Sequence, residues 1–321
     1  MAGRRRFVPL PLVAREALFT AFAVAVLFTV VVWMVFCQEW SDMRWAHRQR
    51  KMHGGGGGGG AHKSRYESLA DVALDSFSYT WQRQISDMIV KTAMATAFFG
   101  CLAMARGWRA RVIMTRRVAW IMAILYGIRS VTISITTMPP PAADCKPNLA
   151  GSTRELLLSV IPSMLTGETI ACTDMIFSGH TTLLVASFLL WTRYARHWGF
   201  VAYSGMHTVI GIASVVMARL HYSVDILLAV AVVFFVFNLY FLSLEAAVRR
   251  RVAAGSPALA DCVVLGYAPA ATSSDDSIAE LEKRLDAAPV HDIDAPQLLT
   301  NRIPTFFLPD IVAWMDGLWM R

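Results

Sequence analysis

The stretch CTDMIFSGHTTLLVASFLLW, residues 172–191, changes abruptly from polar to apolar side chains. It opens with Asp174, Ser178 and His180 and continues, without a further charge, into an apolar run. An apolar run of this kind can enter a bilayer, whereas ionisable groups are costly there and are usually retained for function. The stretch therefore predicts a membrane helix with candidate functional side chains at its start.

The composition of the whole chain supports a membrane protein. Of its 321 residues, 55% are hydrophobic, which exceeds the share typical of soluble domains. The net charge of +7 comes from cations clustered between apolar runs, as membrane topology requires, and not from one basic face. We therefore expect an all-α, polytopic integral membrane protein and no nucleic-acid partner.

Six apolar segments approach the roughly 20 residues that cross a bilayer. They predict a bundle of six transmembrane helices over residues 17–37, 89–105, 118–138, 175–191, 198–218 and 222–243.

These spans divide the chain into three parts. We expect a cytosolic N-terminus (1–16), a six-helix membrane catalytic domain (17–243) and a cytosolic C-terminal tail (244–321). Arginine clusters fall on the side of both termini, in agreement with the positive-inside rule. The glycine-rich loop 38–87 also carries cations and departs from the rule; we expect it to be flexible and lumenal.

The segment HYSVD, residues 221–225, offers a second group of ionisable side chains. His221 and Asp225 are four residues apart, so they would face each other on a helix. A carboxylate there fixes the imidazole tautomer and leaves the other nitrogen free as nucleophile or base. Alternatively, the pair caps the start of a helix.

The segment before residue 181 is suited to holding an anion. Ser178 and Gly179 would place a hydroxyl and backbone N–H groups at a helix start, beside His180. Ser178 is equally suited to act as an ordinary N-cap, and the two interpretations are compatible. Arg129 lies within an apolar span, where a phosphate oxygen, a structural ion pair or snorkelling to the interface would each satisfy its charge.

Two histidines at one membrane face are suited to a two-step phosphoryl transfer. One imidazole attacks phosphorus and forms a phospho-histidine, and the other moves protons to and from the alcohols. This chemistry requires neither a metal nor a cofactor. Cys145 and Cys172 fall in one predicted loop, where a disulfide and two free thiols are both compatible with the sequence.

Four segments together resemble the signatures of the sphingomyelin synthase family, which is related to the PAP2 lipid phosphatases. CTDMIFSGHT (172–181) resembles the third signature, C-G-D, three residues, S-G-H-T, with Thr173 in place of glycine. HYSVDILLA (221–229) resembles the fourth, H-Y-S/T-x-D. RSVTISITTMPPP (129–141) is similar to the second, and SLADVALD (68–75) to a degenerate first, normally P-L-P-D.

The resemblance implies an activity and a location. A phospho-head group (phosphocholine, phosphoethanolamine or phosphoinositol) would pass from a glycerophospholipid to the primary hydroxyl of ceramide, with release of diacylglycerol. The site would face the lumen or exterior, in the Golgi, the plasma membrane or both, and a homodimer is compatible with the sequence. The implied catalytic residues are His180, His221 and Asp225; the expected substrate-binding residues are Arg129, Asp174, Ser178, Gly179 and Tyr222.

Two other functions compete with this one. A PAP2-type lipid phosphate phosphatase would use the same histidines with water as acceptor. The phosphatases normally carry a K-x6-R-P element and an arginine six residues before the second histidine, but Val215 occupies that position here and the element is absent. A non-enzymatic lipid sensor is disfavoured because His180, His221 and Asp225 are all retained.

Overall fold

All the regular structure in the described part of the chain is helical. A computed structural model describes residues 12–53, 69–76, 83–105, 107–141, 155, 172–253 and 308–316. Its helices are α1 (Leu12–His53), α2 (Val72–Ser76), α3 (Arg83–Met104), α4 (Gly107–Ile135), α5 (Gly179–Tyr194), α6 (Trp198–Met217), α7 (Ser223–Ala253) and α8 (Leu308–Met315). The predicted all-α class is confirmed for these residues.

Five of the described helices are long and apolar enough to cross a membrane: α1, α3, α4, α6 and α7. Large apolar side chains on them, such as Val209, Leu227 and Phe235, are about two-thirds exposed, as expected of surfaces that face lipid. α5 has 16 residues and a length of about 24 Å, less than the roughly 30 Å hydrocarbon core. The chain is therefore a multi-pass integral membrane protein with five candidate spans in its described part.

Several helices extend further than their apolar segments. α1 continues past the predicted end at Cys37 to His53, and α3 begins at Arg83. Both ends of the predicted loop 38–87 are thus helical, whereas Gly54–Gly60 lies outside the described residues. The lumenal position of the loop stays a prediction. Hydropathy marks only the apolar part of a helix, whereas the Glu, Met, Arg, Gln and Lys residues after Cys37 are good helix formers.

The last apolar segment also belongs to a longer helix. α7 continues to Ala253, well beyond the predicted end of its span at residue 243. A further helix, α8, lies within the predicted tail 244–321.

The chain divides into two compact units. One, the histidine unit, consists of Val26–Met104 and Ile121–Phe237. The other, the tail unit, consists of Met1–Ala25, Ala105–Trp120 and Asn238–Arg321.

In the histidine unit, α3, α5 and α6 pack against one another. Val90 and Ala93 of α3 form a buried cluster with Leu184 of α5. At Gly211 of α6, an added Cβ would lie 2.6 Å from a methyl carbon of Leu184, so the two helices approach closely there. This packing fixes the start of α5 beside the start of α3.

In the tail unit, buried ion pairs hold α8. Both Nε and Nη2 of Arg117 donate to the Asp316 carboxylate, at 2.8 and 3.0 Å. The neighbouring Arg116, fully buried, pairs with Glu16 at 2.8 Å and also donates to the Asp316 carbonyl oxygen. In the same unit, the rings of Phe22, Trp120 and Trp314 contact one another.

We predict that Asp316→Ala releases α8. Removing one partner of a buried ion pair costs about 3–5 kcal/mol, because the other charge stays buried. Limited proteolysis of the detergent-solubilised protein should cut the variant near α8 faster than the wild type. Asp310→Ala, which removes an exposed carboxylate from the same helix, is the control. Equal cleavage of both variants would contradict the prediction.

Candidate active site

The first turn of α5 is a capped helix start that follows irregular backbone. α5 begins at Gly179, later than the predicted start at Met175. Ser178 is its N-cap, and the Ser178 hydroxyl accepts from the N–H of Thr181 at 3.2 Å. The capping role predicted for Ser178 is therefore present. The remaining N–H groups of the first turn keep the partial positive charge that favours an anion.

Arg129 of α4 lies against this helix start. Its guanidinium forms an ion pair with Asp174, and both side chains are almost fully buried. A Cβ added at Gly179 would clash with Nη1 of Arg129, so the guanidinium lies directly against the glycine backbone. Gln38 of α1 also donates to Asp174. Arg129 thus has a structural ion pair and a position from which a phosphate could be reached.

The two histidines of the sequence signatures meet at this point. The rings of His180 and His221 have centroids 5.8 Å apart and planes inclined at 61°. His221 is 5% exposed, whereas the His180 side chain is 22% exposed. The structure therefore brings together the imidazoles that the sequence places 41 residues apart.

The relation between His221 and Asp225 differs from the expected helical pairing. α7 begins at Ser223, so His221 precedes the helix, and its Nδ1 lies 4.0 Å from Oδ2 of Asp225. This distance exceeds a hydrogen bond. Oδ2 of Asp225 instead accepts from the N–H of Tyr222 at 2.9 Å, as in one half of a capping box. The Asp225 carbonyl also accepts from the N–H of Ser178 at 3.5 Å, which ties the starts of α5 and α7.

His180 has a carboxylate partner that sequence reasoning missed. Oδ1 of Asp87, on α3, lies 2.7 Å from Nε2 of His180. Arg83, one turn earlier on α3, lies 3.9 Å from the other oxygen of Asp87. The available signal was an acidic residue just before the apolar segment 89–105, but the separation of 93 residues hid its partner.

The extended end of α1 holds the segment before α5. Asp42 accepts from the N–H groups of Cys172 and Thr173, at 3.1 and 2.9 Å, and from the Thr173 hydroxyl at 2.6 Å. Thr173, which occupies the glycine position of the family signature, therefore has a hydrogen-bond partner of its own. Cys172 is disulfide-bonded, and Cys145, its candidate partner from the sequence, lies outside the described residues.

Tyr222 and Asp71 hold the start of α7. The Tyr222 hydroxyl donates to the Pro139 carbonyl at 3.1 Å and accepts from the N–H of Leu69 at 3.2 Å. Asp71 accepts from the N–H and the hydroxyl of Ser223, at 2.7 and 2.6 Å. Burial acts to raise the pKa of Asp71, but these hydrogen bonds and those from α2 outweigh it and lower the pKa. The described contacts give Tyr222 an anchoring position.

The electrostatic surroundings keep His221 neutral. Burial, followed by the positive charges of His180 and Arg129, holds the pKa of His221 well below its ordinary value of 6.5. A neutral imidazole has a free lone pair, which a nucleophile requires.

Several buried polar atoms of the site have no hydrogen-bond partner among the described residues. They are Nε of Arg129, Oδ1 of Asp174, Nδ1 of His221 and Oδ1 of Asp225. Buried polar atoms are normally paired, so this cluster retains donors and acceptors for a ligand.

Comparison with known proteins connects this geometry to a family. Residues 171–242 match the family described as PAP2 superfamily C-terminal, and this stretch includes both histidines and Asp225. The chain is 32% identical over 131 residues to phosphatidylcholine:ceramide cholinephosphotransferase 2 of Rattus norvegicus, covering 38% of this chain and 36% of that protein. Over these residues, the chain resembles the ceramide cholinephosphotransferases.

Human relatives give the same result. The identity is 30% over 131 residues with phosphatidylcholine:ceramide cholinephosphotransferase 2 of Homo sapiens, and 31% over 127 residues with its type 1 counterpart. The human matches cover 36% and 31% of the relatives' lengths, and 38% and 36% of this chain. The resemblance drawn from the signatures is thus confirmed over about a third of this chain. The matched part spans about a third of the length of each relative.

We predict that Gly179→Ala destabilises the protein. The new methyl group would displace the Arg129 guanidinium and disrupt its buried pair with Asp174, and breaking such a pair costs about 3–5 kcal/mol. The midpoint of thermal unfolding in detergent should fall. Gly127→Ala, on α4 with no atom within 4 Å of the added carbon, should leave it nearly unchanged. Equal midpoints for the two variants would contradict the close approach of Arg129.

Proposed function

We propose that this chain is a phosphotransferase that moves a phospho-head group from a glycerophospholipid to the primary hydroxyl of ceramide, with release of diacylglycerol. The observation that carries the proposal is the pair of imidazoles, 5.8 Å apart, beside a buried arginine at the start of a helix. The names of the relatives, which are ceramide cholinephosphotransferases, support the same reaction.

The first step uses His221 as nucleophile and His180 as acid. The neutral His221 attacks the donor phosphorus, and an N–P bond forms while the bond from phosphorus to the glycerol oxygen breaks. The His180 imidazolium gives its proton to that oxygen, so diacylglycerol leaves. Asp225 orients His221; catalytic hydrogen bonds are often long before substrate binds, so the 4.0 Å separation is compatible with this role.

The second step transfers the head group to ceramide. The neutral His180 takes the proton of the primary hydroxyl, whose oxygen attacks phosphorus while the N–P bond breaks. His221 becomes free and His180 returns to its protonated form, so atoms and charges balance over the cycle.

Phosphate oxygens are held by the arginine and by the helix start. Arg129 supplies the positive charge, and the N–H groups at Gly179 add the partial charge of the α5 terminus. Asp174 keeps the guanidinium in place, while Ser178 caps the helix and Tyr222 anchors the backbone beside His221. In this proposal, Ser178 and Tyr222 serve substrate binding through the backbone that they position.

The proposal includes six spans and a lumenal or exoplasmic site. The site in the histidine unit collects the end of α1, the start of α3, the end of α4 and the starts of α5 and α7. If α5 also crosses the membrane despite its short length, successive spans alternate in direction. These helix ends would then all lie on the same side of the membrane. By the positive-inside rule, the arginine clusters support termini in the cytosol and a site on the opposite face. The proposed membrane is that of the Golgi, the plasma membrane or both.

A lipid phosphate phosphatase is the second candidate because the matched family is the PAP2 superfamily. It would release the head group to water. Val215, at the position where the phosphatases carry an arginine, is fully buried and cannot contact phosphate as a cation.

The experiment that tests the function supplies the purified protein with fluorescent short-chain ceramide. Phosphatidylcholine, phosphatidylethanolamine and phosphatidylinositol are offered separately, and the products are resolved by chromatography. We expect a ceramide-phospho product and diacylglycerol with at least one donor. His221→Ala should abolish the product. His207→Ala should retain it, since His207 bonds the Ile89 carbonyl and the Tyr203 hydroxyl away from the site. Head-group release without a ceramide product would instead support the phosphatase.

We also predict the acid limb of the pH profile. Only neutral His221 can attack, and its lowered pKa keeps it neutral as the pH falls through 6.5. Transfer should therefore persist at pH 6 and fall only at clearly lower pH, as measured by initial rates at saturating substrates. A loss of activity centred at pH 6.5 or above would contradict this assignment.

A further inference from the structure

We propose that Asp87 is the positioning residue for His180, and that its carboxylate holds the imidazolium that donates and recovers the proton. This inference rests on the proposed function and adds to it a residue outside the four sequence signatures.

Geometry distinguishes this carboxylate from the expected one. Oδ1 of Asp87 is 2.7 Å from Nε2 of His180, the length of a charge-assisted hydrogen bond, whereas Asp225 is 4.0 Å from His221. Among the described site residues, only Asp87 and His180 form a carboxylate–imidazole pair within hydrogen-bond distance. The expected pair was Asp225 with His221.

The hydrogen bond to Asp87 determines which nitrogen of His180 exchanges protons with the substrates. Asp87 accepts from Nε2–H, so Nδ1 is left to exchange the proton with the lipid alcohols. Asp87 keeps its negative charge throughout, while His180 alternates between imidazolium and imidazole. The carboxylate stabilises the charged form, as a buried aspartate does for the base histidine of a hydrolytic triad.

The packing of α3 against α5 does not require this contact. Val90, Ala93 and Leu184 already join the two helices through buried apolar side chains. The Asp87 side chain is 29% exposed, so it lies at the rim of the site and not in the apolar core. An acidic residue at this place is better explained by its partner than by helix packing.

The charges around the pair determine how its loss would act. Arg83 lies 3.9 Å from Asp87 and Lys91 also attracts it. The His221 ring lies 5.8 Å from the His180 ring, and Arg129 lies against the adjacent Gly179. Without Asp87, the imidazolium would remain near the charges of Arg83, Lys91 and Arg129 with no anion at hydrogen-bond distance. His180 would then lose its proton at lower pH, and the protonated acid needed in the first step would become scarce.

The test compares Asp87→Asn with Asp75→Asn in the ceramide assay. Asp75 is an exposed carboxylate on α2, so its variant loses the same charge without removing a described contact to either histidine. We expect kcat to fall about 100-fold or more in Asp87→Asn, within the usual contribution of acid–base catalysis. The KM for the donor should stay nearly constant, and the basic limb of the kcat profile should move to lower pH. Asp75→Asn should match the wild type.

A second variant separates positioning from folding. Asp87→Glu keeps the carboxylate and should recover a large part of the activity and the position of the basic limb. Thermal unfolding midpoints are measured for every variant. A fall in kcat with no shift of the basic limb and no recovery by glutamate would overturn the proposal, as would an Asp87→Asn variant as active as Asp75→Asn.

The same assay distinguishes the two levels of inference. A wild-type protein that makes no ceramide-phospho product with any of the three donors refutes the proposed function. A wild type that makes the product, with an Asp87→Asn variant that lacks the expected pattern, refutes only the role of Asp87.

Discussion

The site depends on one buried charge. The Arg129 guanidinium lies against the backbone of Gly179, where the N-terminus of α5 already carries a partial positive charge. Two like charges can share this place only because Asp174 lies beside them, and Asp174 is in turn held by Gln38. The arginine and the helix N-terminus together favour the binding of an anionic ligand.

The proposed chemistry assigns different roles to two imidazoles that lie in different environments. His221 is deeply buried beside positive charge and stays neutral, which suits attack on phosphorus. His180 is more exposed and has a carboxylate at hydrogen-bond distance, which suits a group that must hold a proton and release it. Pairs of titratable groups whose environments differ in this way commonly divide acid–base roles. The assignment follows from the surroundings of each ring and not from the order of the residues in the chain.

Much of the site could be predicted from local spacing, and the remainder could not. The signatures around His180 and His221 are short, so their residues are necessarily near one another, and Ser178 and Gly179 indicated the helix start. The partners of these residues come from distant segments: Asp87 lies 93 residues before His180, and Gln38 lies 136 before Asp174. Hydropathy also ended the first span at Cys37, since it measures apolarity and not helix formation. The i, i+4 rule failed at His221 because α7 begins two residues later, at Ser223.

The segment that carries both histidines is held in position by side chains from outside it, including two from the extended end of α1. The matched segment, residues 171–242, contains both imidazoles of the site but none of Gln38, Asp42, Asp71, Asp87 and Arg129. Those five side chains fix the two histidine-bearing segments from outside, through hydrogen bonds and an ion pair. The matched segment therefore lacks the side chains that hold its two histidines in position. If this segment were transferred to another membrane protein, it would carry both imidazoles without the side chains that orient them. Chimaeras between relatives should therefore exchange those side chains together with the segment.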